Sequence, residues 1–249
     1  MKKFILVLLG VFLYSDNLKY YLFSINMDYR EISNGYVIDK DQTNYGDLNG
    51  IGISYESYRF IPYFINAEYS HGTSKYSGQT QSGQYLETTN KNVYIFNINA
   101  GLHIFNNPYY LNFGYRLWNR GKSNYEGDYD EKYYWKYIGF GYKYIVKFSD
   151  FILKSDLNYE YALNPKLNVY LGSGATLDLG ETDGLKFKFS ADYKYSNNIM
   201  LSFLYKIQLW HINVSNVKTI EYNNQDIVIY EPESITLNQY LSIGLLFKF

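Results

Sequence analysis

The sequence predicts an all-β fold: a transmembrane, antiparallel, up-and-down β-barrel of about ten strands. Three observations predict it. First, apolar and polar residues alternate in ten separate segments of the 249-residue chain, and a period of two is typical of a strand with one apolar and one polar face. Second, the connections between these segments are alternately short and long. Third, the first fifteen residues have the order of a cleaved export signal.

The amino terminus is the first element. Lys2 and Lys3 are followed by an apolar stretch from Phe4 to Tyr14 and then by a small residue, Ser15. This stretch is shorter than the roughly 20 residues that a helix needs to cross a bilayer. A buried strand or helix is the alternative interpretation. We expect residues 1–15 to be a signal peptide and residues 16–249 to form one barrel domain.

The ten alternating segments come next, each near the roughly 9 to 11 residues that a tilted strand needs to cross a bilayer. They are residues 21–29, 51–55, 61–69, 94–102, 111–117, 138–144, 151–159, 185–193, 201–209 and 241–249.

The connections divide into two classes. The short ones are residues 57–60, 105–108, 147–150 and 196–198, and the long polar ones are residues 33–46, 71–90, 119–132, 162–184 and 211–234. Four short turns and five long loops place both termini at the same end of a barrel. This asymmetry is typical of outer-membrane barrels, with short periplasmic turns and long extracellular loops. A soluble sandwich has no such systematic difference between its ends.

The overall composition limits the possible functions. With 32 Tyr and 16 Phe the chain is 20% aromatic, and its formal net charge is -1. Because no basic cluster stands out, we expect no nucleic-acid partner. The absence of cysteine excludes disulfides and thiolate metal sites.

The polar positions of the strands carry charges of both signs. A membrane barrel places its apolar face on lipid and its polar residues in the lumen, the reverse of a soluble sandwich. We therefore expect ion pairs in the lumen, with Lys154 directly opposite Asp192 and Glu160 directly opposite Lys186. The predicted polar network consists of Glu68, Arg116, Lys143, Lys154, Asp156, Glu160, Lys186, Lys188, Asp192 and Lys206.

The apolar face grades from tyrosine at both ends to aliphatic residues in the middle, as in the aromatic girdles at membrane interfaces. A soluble, lipocalin-like barrel remains the alternative. The predicted bands are Tyr29, Tyr69, Tyr115, Tyr159 and Tyr161 near the loops, and Tyr55, Tyr63, Tyr109, Tyr144 and Phe249 near the turns.

With its export signal, its rhythm of strands and loops and its closing "LLFKF", the chain resembles the small bacterial outer-membrane β-barrel proteins of the OmpA, OmpX and opacity-protein kind. The resemblance implies the outer membrane of a Gram-negative bacterium, periplasmic N- and C-termini, and contact with outer-membrane lipid and lipopolysaccharide. It also implies an assembly signal in the last strand, at Tyr240, Phe247 and Phe249, that the barrel-assembly machinery recognises. The strand number is similar to that of the omptin proteases and some adhesins.

An omptin-like protease would need an aspartate pair and an Asp/His pair at the barrel mouth. Asp128 and Asp130 lie in the third long loop and His211 opens the fifth, but Leu209 stands where the second pair needs an aspartate. Solvated loop charges are the favoured interpretation. A lipid-modifying hydrolase would need a serine nucleophile and a histidine base. The candidates are His71 with Ser74 and His211 with Ser215, and neither spacing is diagnostic. We predict no catalytic, metal or cofactor-binding residues and no cofactor.

The expected width of the barrel decides among the remaining functions. Barrels of about eight strands are filled by their own side chains, and an open channel appears only at about sixteen. We expect the glycines of "GIG" (50–52) and "GFG" (139–141) to relieve crowding inside the barrel, and Trp118, Trp135 and Trp210 to pack under the loops or to line a mouth. The sequence favours a structural or surface-interaction protein whose loops are available to an extracellular ligand. A narrow, porin-like channel for small solutes is the alternative, and a surface hydrolase is less favoured.

Overall fold

The computed structural model describes residues 17–57, 61–79, 83–104 and 108–249. The predicted signal peptide lies outside the described residues, as do parts of the predicted turns 57–60 and 105–108. In the described part of the chain, no helix has the length and apolar character needed to cross a membrane.

The described residues form fourteen strands. These are β1 (Asn17–Ser33), β2 (Tyr36–Gln42), β3 (Leu48–Ser57), β4 (Tyr63–Gln79), β5 (Tyr85–His103), β6 (Tyr109–Asn119), β7 (Glu131–Phe148), β8 (Phe151–Val169), β9 (Ala175–Asp178), β10 (Thr182–Lys194), β11 (Ile199–Ile212), β12 (Lys218–Tyr222), β13 (Gln225–Ile229) and β14 (Glu233–Lys248).

Ten of these strands close a barrel, and every pairing is antiparallel. The order around the barrel is β1, β3, β4, β5, β6, β7, β8, β10, β11 and β14, and β14 pairs again with β1. The closing ladder runs from Asn17 opposite Lys248 to Ile32 opposite Glu233. In the described part of the ten-stranded barrel, closure leaves no unpaired edge. A strand in hydrocarbon requires this, because its backbone groups find no water there. The predicted fold class is confirmed.

One end of the closing ladder, where Asn17 lies opposite Lys248, is at the end of the barrel that carries the short turns. We call this the turn end and the opposite one the loop end. At the loop end the strands extend beyond their predicted limits, since β4 continues to Gln79 and β5 begins at Tyr85.

Three of the predicted long loops also contain short strands that were not expected: β2, β9 and the hairpin of β12 with β13. The turn before β2 and the turn between β12 and β13 explain two of these additions. Asn34 and Gly35 both have positive φ, 51° and 79°, as do Asn223 and Asn224, at 53° and 60°. Two positive φ values in succession are the geometry of a tight hairpin turn. These strands have little apolar alternation, because much of both their faces meets solvent, so the hydrophobic period could not reveal them.

A belt of apolar side chains surrounds the outside of the barrel, as predicted, with at least one from each of the ten strands. Its exposed members include Leu22, Ile51, Ile65, Ile98, Phe113, Phe140, Leu157, Phe187, Phe203 and Ile243. Five of the predicted tyrosines are also exposed on this surface: Tyr69, Tyr109, Tyr144, Tyr159 and Tyr161.

The prediction for the first strand was wrong about its faces. Tyr29 and the residues that alternate with it down to Tyr21 are buried inside the barrel, whereas Leu22 is 62% exposed. Glycines on the neighbouring strand explain the reversal. A Cβ on Gly52 would lie 2.2 Å from the ring of Tyr21, and one on Gly50 would lie 2.3 Å from the ring of Phe23. The aromatic rings of β1 therefore occupy space that β3 leaves free, as expected for glycines that relieve crowding.

Candidate functional site

The lumen carries most of the buried polar and aromatic side chains, and the ten residues of the predicted polar network all lie at inward-facing positions. Five lysine–carboxylate pairs connect strands across the lumen. They are Lys143 with Glu56, Lys154 with Asp192 at 3.1 Å, Lys186 with Glu160, Lys188 with Asp156 at 3.6 Å, and Lys206 with Glu68 at 2.5 Å. Sequence reasoning missed Glu56, although its place in β3 gives it the same parity as the inward Gly50 and Gly52.

Two of these pairs were predicted with the correct partners in the wrong register. Lys154 is directly opposite Ser190, not Asp192, and Glu160 is directly opposite Gly184, not Lys186. Each ion pair is diagonal, because its two residues are offset by two positions along the ladder. A long side chain spans such a diagonal, so the chemistry of the pair did not fix the register.

Arg116 is a buried cation, and no carboxylate of the described residues forms an ion pair with it. Its Nη1 donates to Asn97 Oδ1 at 3.1 Å and to Gln208 Oε1 at 3.3 Å. Its guanidinium carbon lies 5.8 Å from the ring centre of Trp135 and 5.9 Å from that of Trp210. Cation–π contact and amide hydrogen bonds therefore hold this charge in place.

Above Arg116, five rings fill the lumen, and we call them the aromatic layer: Tyr29, Trp118, Tyr133, Trp135 and Trp210. Each is at most 2% exposed. The ring centres of Trp118 and Tyr133 are 4.8 Å apart in a stacked arrangement, and those of Trp135 and Trp210 are 4.9 Å apart, edge to face. The three tryptophans therefore pack under the loops, which is one of the two predicted alternatives.

A charged group lies between the aromatic layer and the loops, and we call it the mouth cluster: Arg120, Glu31, Asp41, Glu131 and Glu231. Arg120 Nη1 donates to Glu31 at 2.8 Å and to Glu131 at 2.6 Å, and its Nε donates to Asp41. Glu231 instead accepts hydrogen bonds at 2.7 Å from the hydroxyls of Tyr29 and Tyr133. All five charged residues are buried. No local motif could have revealed the cluster, because its members come from three separate regions of the chain, residues 31–41, 120–131 and 231.

Four carboxylates around one guanidinium cannot all be ionised cheaply in a buried site. The outward apolar belt of β1 ends at Leu22, so the mouth cluster lies outside the membrane-spanning part. Burial raises the pKa of Glu31 to about 8 against the opposing effect of Arg120, and it raises the pKa of Glu231 well above its usual range, where Glu31 and Glu131 add to the shift. Burial also raises the pKa of Asp41. Burial and the nearness of the other carboxylates therefore favour the protonated forms of Glu31 and Glu231.

The residues that the sequence analysis considered for a protease do not converge in the described part of the chain. His211 lies on the outer side of β11, with Nε2 2.9 Å from Glu233 and Nδ1 3.7 Å from Asp183. Asp128 instead accepts hydrogen bonds from the backbone and hydroxyl of Ser123 within the third loop. Across residues 17–57, 61–79, 83–104 and 108–249, no three potential ligands are grouped to hold a metal ion.

The three residues of the predicted assembly signal lie in different environments. Tyr240 is buried in the lumen, where Lys206 Nζ lies 3.6 Å from its ring centre. Phe247 contacts Tyr20 at a ring distance of 6.4 Å, and Phe249 is 63% exposed at the turn end. The assembly role of all three stays a prediction.

Comparison with known proteins gives matches in structure but not in sequence. No family model matches the chain, and no curated protein matches it. The chain is similar to the outer membrane protease OmpT from Escherichia coli, with a TM-score of 0.58 and 14% identity over 95% of this chain and 98% of that one. It also matches Neisserial surface protein A, with a TM-score of 0.40 and 14% identity over 93% and 97% of the two chains.

These findings define the class. The chain is a ten-stranded antiparallel barrel of the kind found in outer-membrane proteins, with a lumen filled by ion pairs and aromatic rings. At 14% identity the likeness to OmpT extends to the fold alone.

Proposed function

We propose that the protein is a non-conducting outer-membrane barrel of a Gram-negative bacterium, with a structural or surface-interaction role. The aromatic layer is the observation that carries this proposal. Its five rings are almost inaccessible to solvent: Tyr29, Trp118 and Tyr133 contact one another, and Trp135 contacts Trp210. Displacing them would require repacking of a dense interior, which a barrel of this width resists.

The loop end supports the surface role. Beyond the membrane belt, one face of the β12–β13 hairpin carries Val228 and Tyr230, which are 66% and 51% exposed. Val217, just before β12, is 61% exposed. Exposed apolar residues that share a face are typical of contact sites. We propose that this hairpin is available to an extracellular ligand.

The test is conductance across a planar bilayer. Purified, refolded protein should give no single-channel events, whereas the double variant Trp135→Ala/Trp210→Ala should give them, because it removes two rings of the layer. Trp118→Phe is the matched control, since it keeps a ring in the layer, and it should stay silent. Regular single-channel events in the unaltered protein would contradict the proposal.

A narrow channel for small solutes is the second candidate. A polar cavity on the turn side of the aromatic layer leaves part of the lumen open, and this observation favours a channel. Events in the unaltered protein would select it. An omptin-like or lipid-modifying hydrolase has less support, because His211 faces away from the lumen. Turnover of a peptide or of lipopolysaccharide by the unaltered protein, and loss of that turnover in His211→Ala, would support a hydrolase.

The orientation and assembly are also proposals. We infer that residues 1–15 are a signal peptide, that both termini face the periplasm, and that Phe247 and Phe249 take part in recognition by the barrel-assembly machinery. Because the chain has no cysteine, single introduced cysteines can test the orientation. In intact cells Tyr36→Cys should react with a membrane-impermeant maleimide and Asn197→Cys should not. The opposite labelling would reverse the orientation.

A further inference from the structure

The turn-side half of the lumen contains a cavity that the proposed function does not use. It has a volume of about 120 Å³ and lies between the turn end and the aromatic layer. Three carboxylates line it, Glu56, Glu68 and Asp156. Six lysines also line it: Lys19, Lys143, Lys154, Lys186, Lys188 and Lys206.

Solvent reaches this cavity from the turn end. Side-chain exposure is 23% at Lys188 and 17% at Lys154, but only 6% at Lys186 and zero at Glu160. The aromatic layer beyond them is at most 2% exposed. Among the described residues, the cavity is therefore a blind pocket whose entrance lies beside Asn17 and Lys248.

The charges that surround the cavity do not balance. Five of the lysines each have a carboxylate within 4 Å. Among the described residues, Lys19 has no such carboxylate, and its Nζ lies 5.4 Å from the ring centre of Tyr21. Deeper in the barrel, Arg116 is also without a carboxylate partner, and its Nε has no hydrogen-bond partner in the described part of the chain. Among the described residues of this set, seven cations thus face five carboxylates, inside a wall that is surrounded by lipid.

Excess positive charge in a confined, poorly solvated space attracts counter-ions, and low-dielectric walls concentrate the field that attracts them. Ammonium groups bind oxyanions through charge-assisted hydrogen bonds. The volume limits the size of the anion, since it is well below the roughly 300 to 1,000 Å³ of pockets that enclose larger organic ligands. A tetrahedral oxyanion with a few waters fits this space.

We propose that the cavity is a binding site for a small inorganic oxyanion of the phosphate type, which enters from the turn end and is held by Lys19 together with Lys154 and Lys188. Glu56 and Asp156 occupy the same cavity and keep Lys143 and Lys188 in place by their ion pairs. They also limit the net charge, so the site should favour one anion per chain and bind it reversibly.

The experiment measures inorganic phosphate binding to the refolded full chain in a non-ionic detergent, by equilibrium dialysis with labelled phosphate at low ionic strength. We expect saturable binding of one phosphate per chain that weakens as chloride is added, because salt screens a partly exposed site. Lys19→Gln should weaken binding about tenfold or more, the scale of one lost charge-assisted hydrogen bond. Lys19→Arg should retain binding.

Lys194→Gln is the matched control, because it removes the same charge from an exposed position at the end of β10. It should bind phosphate as the unaltered protein does. Absence of saturable binding, or equal loss in Lys194→Gln and Lys19→Gln, would overturn the proposal. Since Lys19 has no ion pair with the described residues, gel mobility before and after heating should show both variants folded. The result is independent of conductance, so the site and the non-conducting function can fail separately.

Discussion

The ion pair between Glu160 and Lys186 gives the sharpest test of the filled lumen. Glu160 is fully buried and the Lys186 side chain is 6% exposed. Gln208 Nε2 also donates to Glu160, at 3.2 Å. Glu160→Gln keeps the shape of the side chain but leaves the Lys186 ammonium without its counter-charge in the lumen.

Removing one partner of a buried pair costs roughly 3 to 5 kcal/mol, because the remaining charge stays desolvated. With a slope of about 1 to 3 kcal/mol per molar urea, the unfolding midpoint should fall by roughly 1 M or more. The assay is urea unfolding in lipid vesicles, followed by tryptophan fluorescence and by heat-dependent gel mobility.

The chain supplies its own control. Lys166 and Asp178 form a pair of the same chemistry at 2.7 Å, but their side chains are 30% and 53% exposed. Water already solvates these charges, so Asp178→Asn should leave the midpoint nearly unchanged. The double variant Glu160→Leu/Lys186→Met should recover much of the stability lost in Glu160→Gln, because it removes both charges together. Equal midpoints for Glu160→Gln and Asp178→Asn would refute the filled lumen.

Three further predictions concern packing, closure and pH. Gly52→Val should lower the free energy of unfolding by about 1 to 3 kcal/mol, since the new side chain overlaps the ring of Tyr21; an unchanged urea midpoint would mean that the ring moves aside freely. Deleting Phe249 should sharply reduce the folded, membrane-inserted fraction in cells, whereas Lys248→Gln should be tolerated; surface protease accessibility distinguishes the two, and similar damage from both would count against the role of the last residue. Burial raises the folded-state pKa of Glu231 above 4.5, so its contribution to stability is complete below about pH 4.5 and is lost as the pH rises through the folded-state value. Amide exchange in residues 213–232 should therefore accelerate with pH by more than the intrinsic exchange rate does. Glu231→Gln should remove this additional acceleration. Exchange that slows with rising pH, relative to the intrinsic rate, would contradict the prediction.

The sequence by itself determined the barrel and most of its inner surface. Period-two alternation in segments such as 185–193 and 201–209 is a local property, and the alternation of short and long connections follows from it. The polar network could be listed from parity alone, because its members alternate with mostly apolar neighbours on their own strands. The correct partners of Lys154 and Glu160 followed from charge.

Only the tertiary structure decided which face of β1 points inward, which residues stand opposite one another, and what lies at the mouth. Both faces of β1 carry apolar residues, so its orientation depends on the space that Gly50 and Gly52 leave on another strand. The register depends on how all ten strands close, and a long lysine tolerates an offset of two residues. The mouth cluster assembles Glu31, Arg120 and Glu231 from segments far apart in the chain. Contacts between distant residues produce no periodic pattern in the sequence. The physical reason is that the packing of a side chain depends on residues from other segments, whereas alternation depends only on the strand itself.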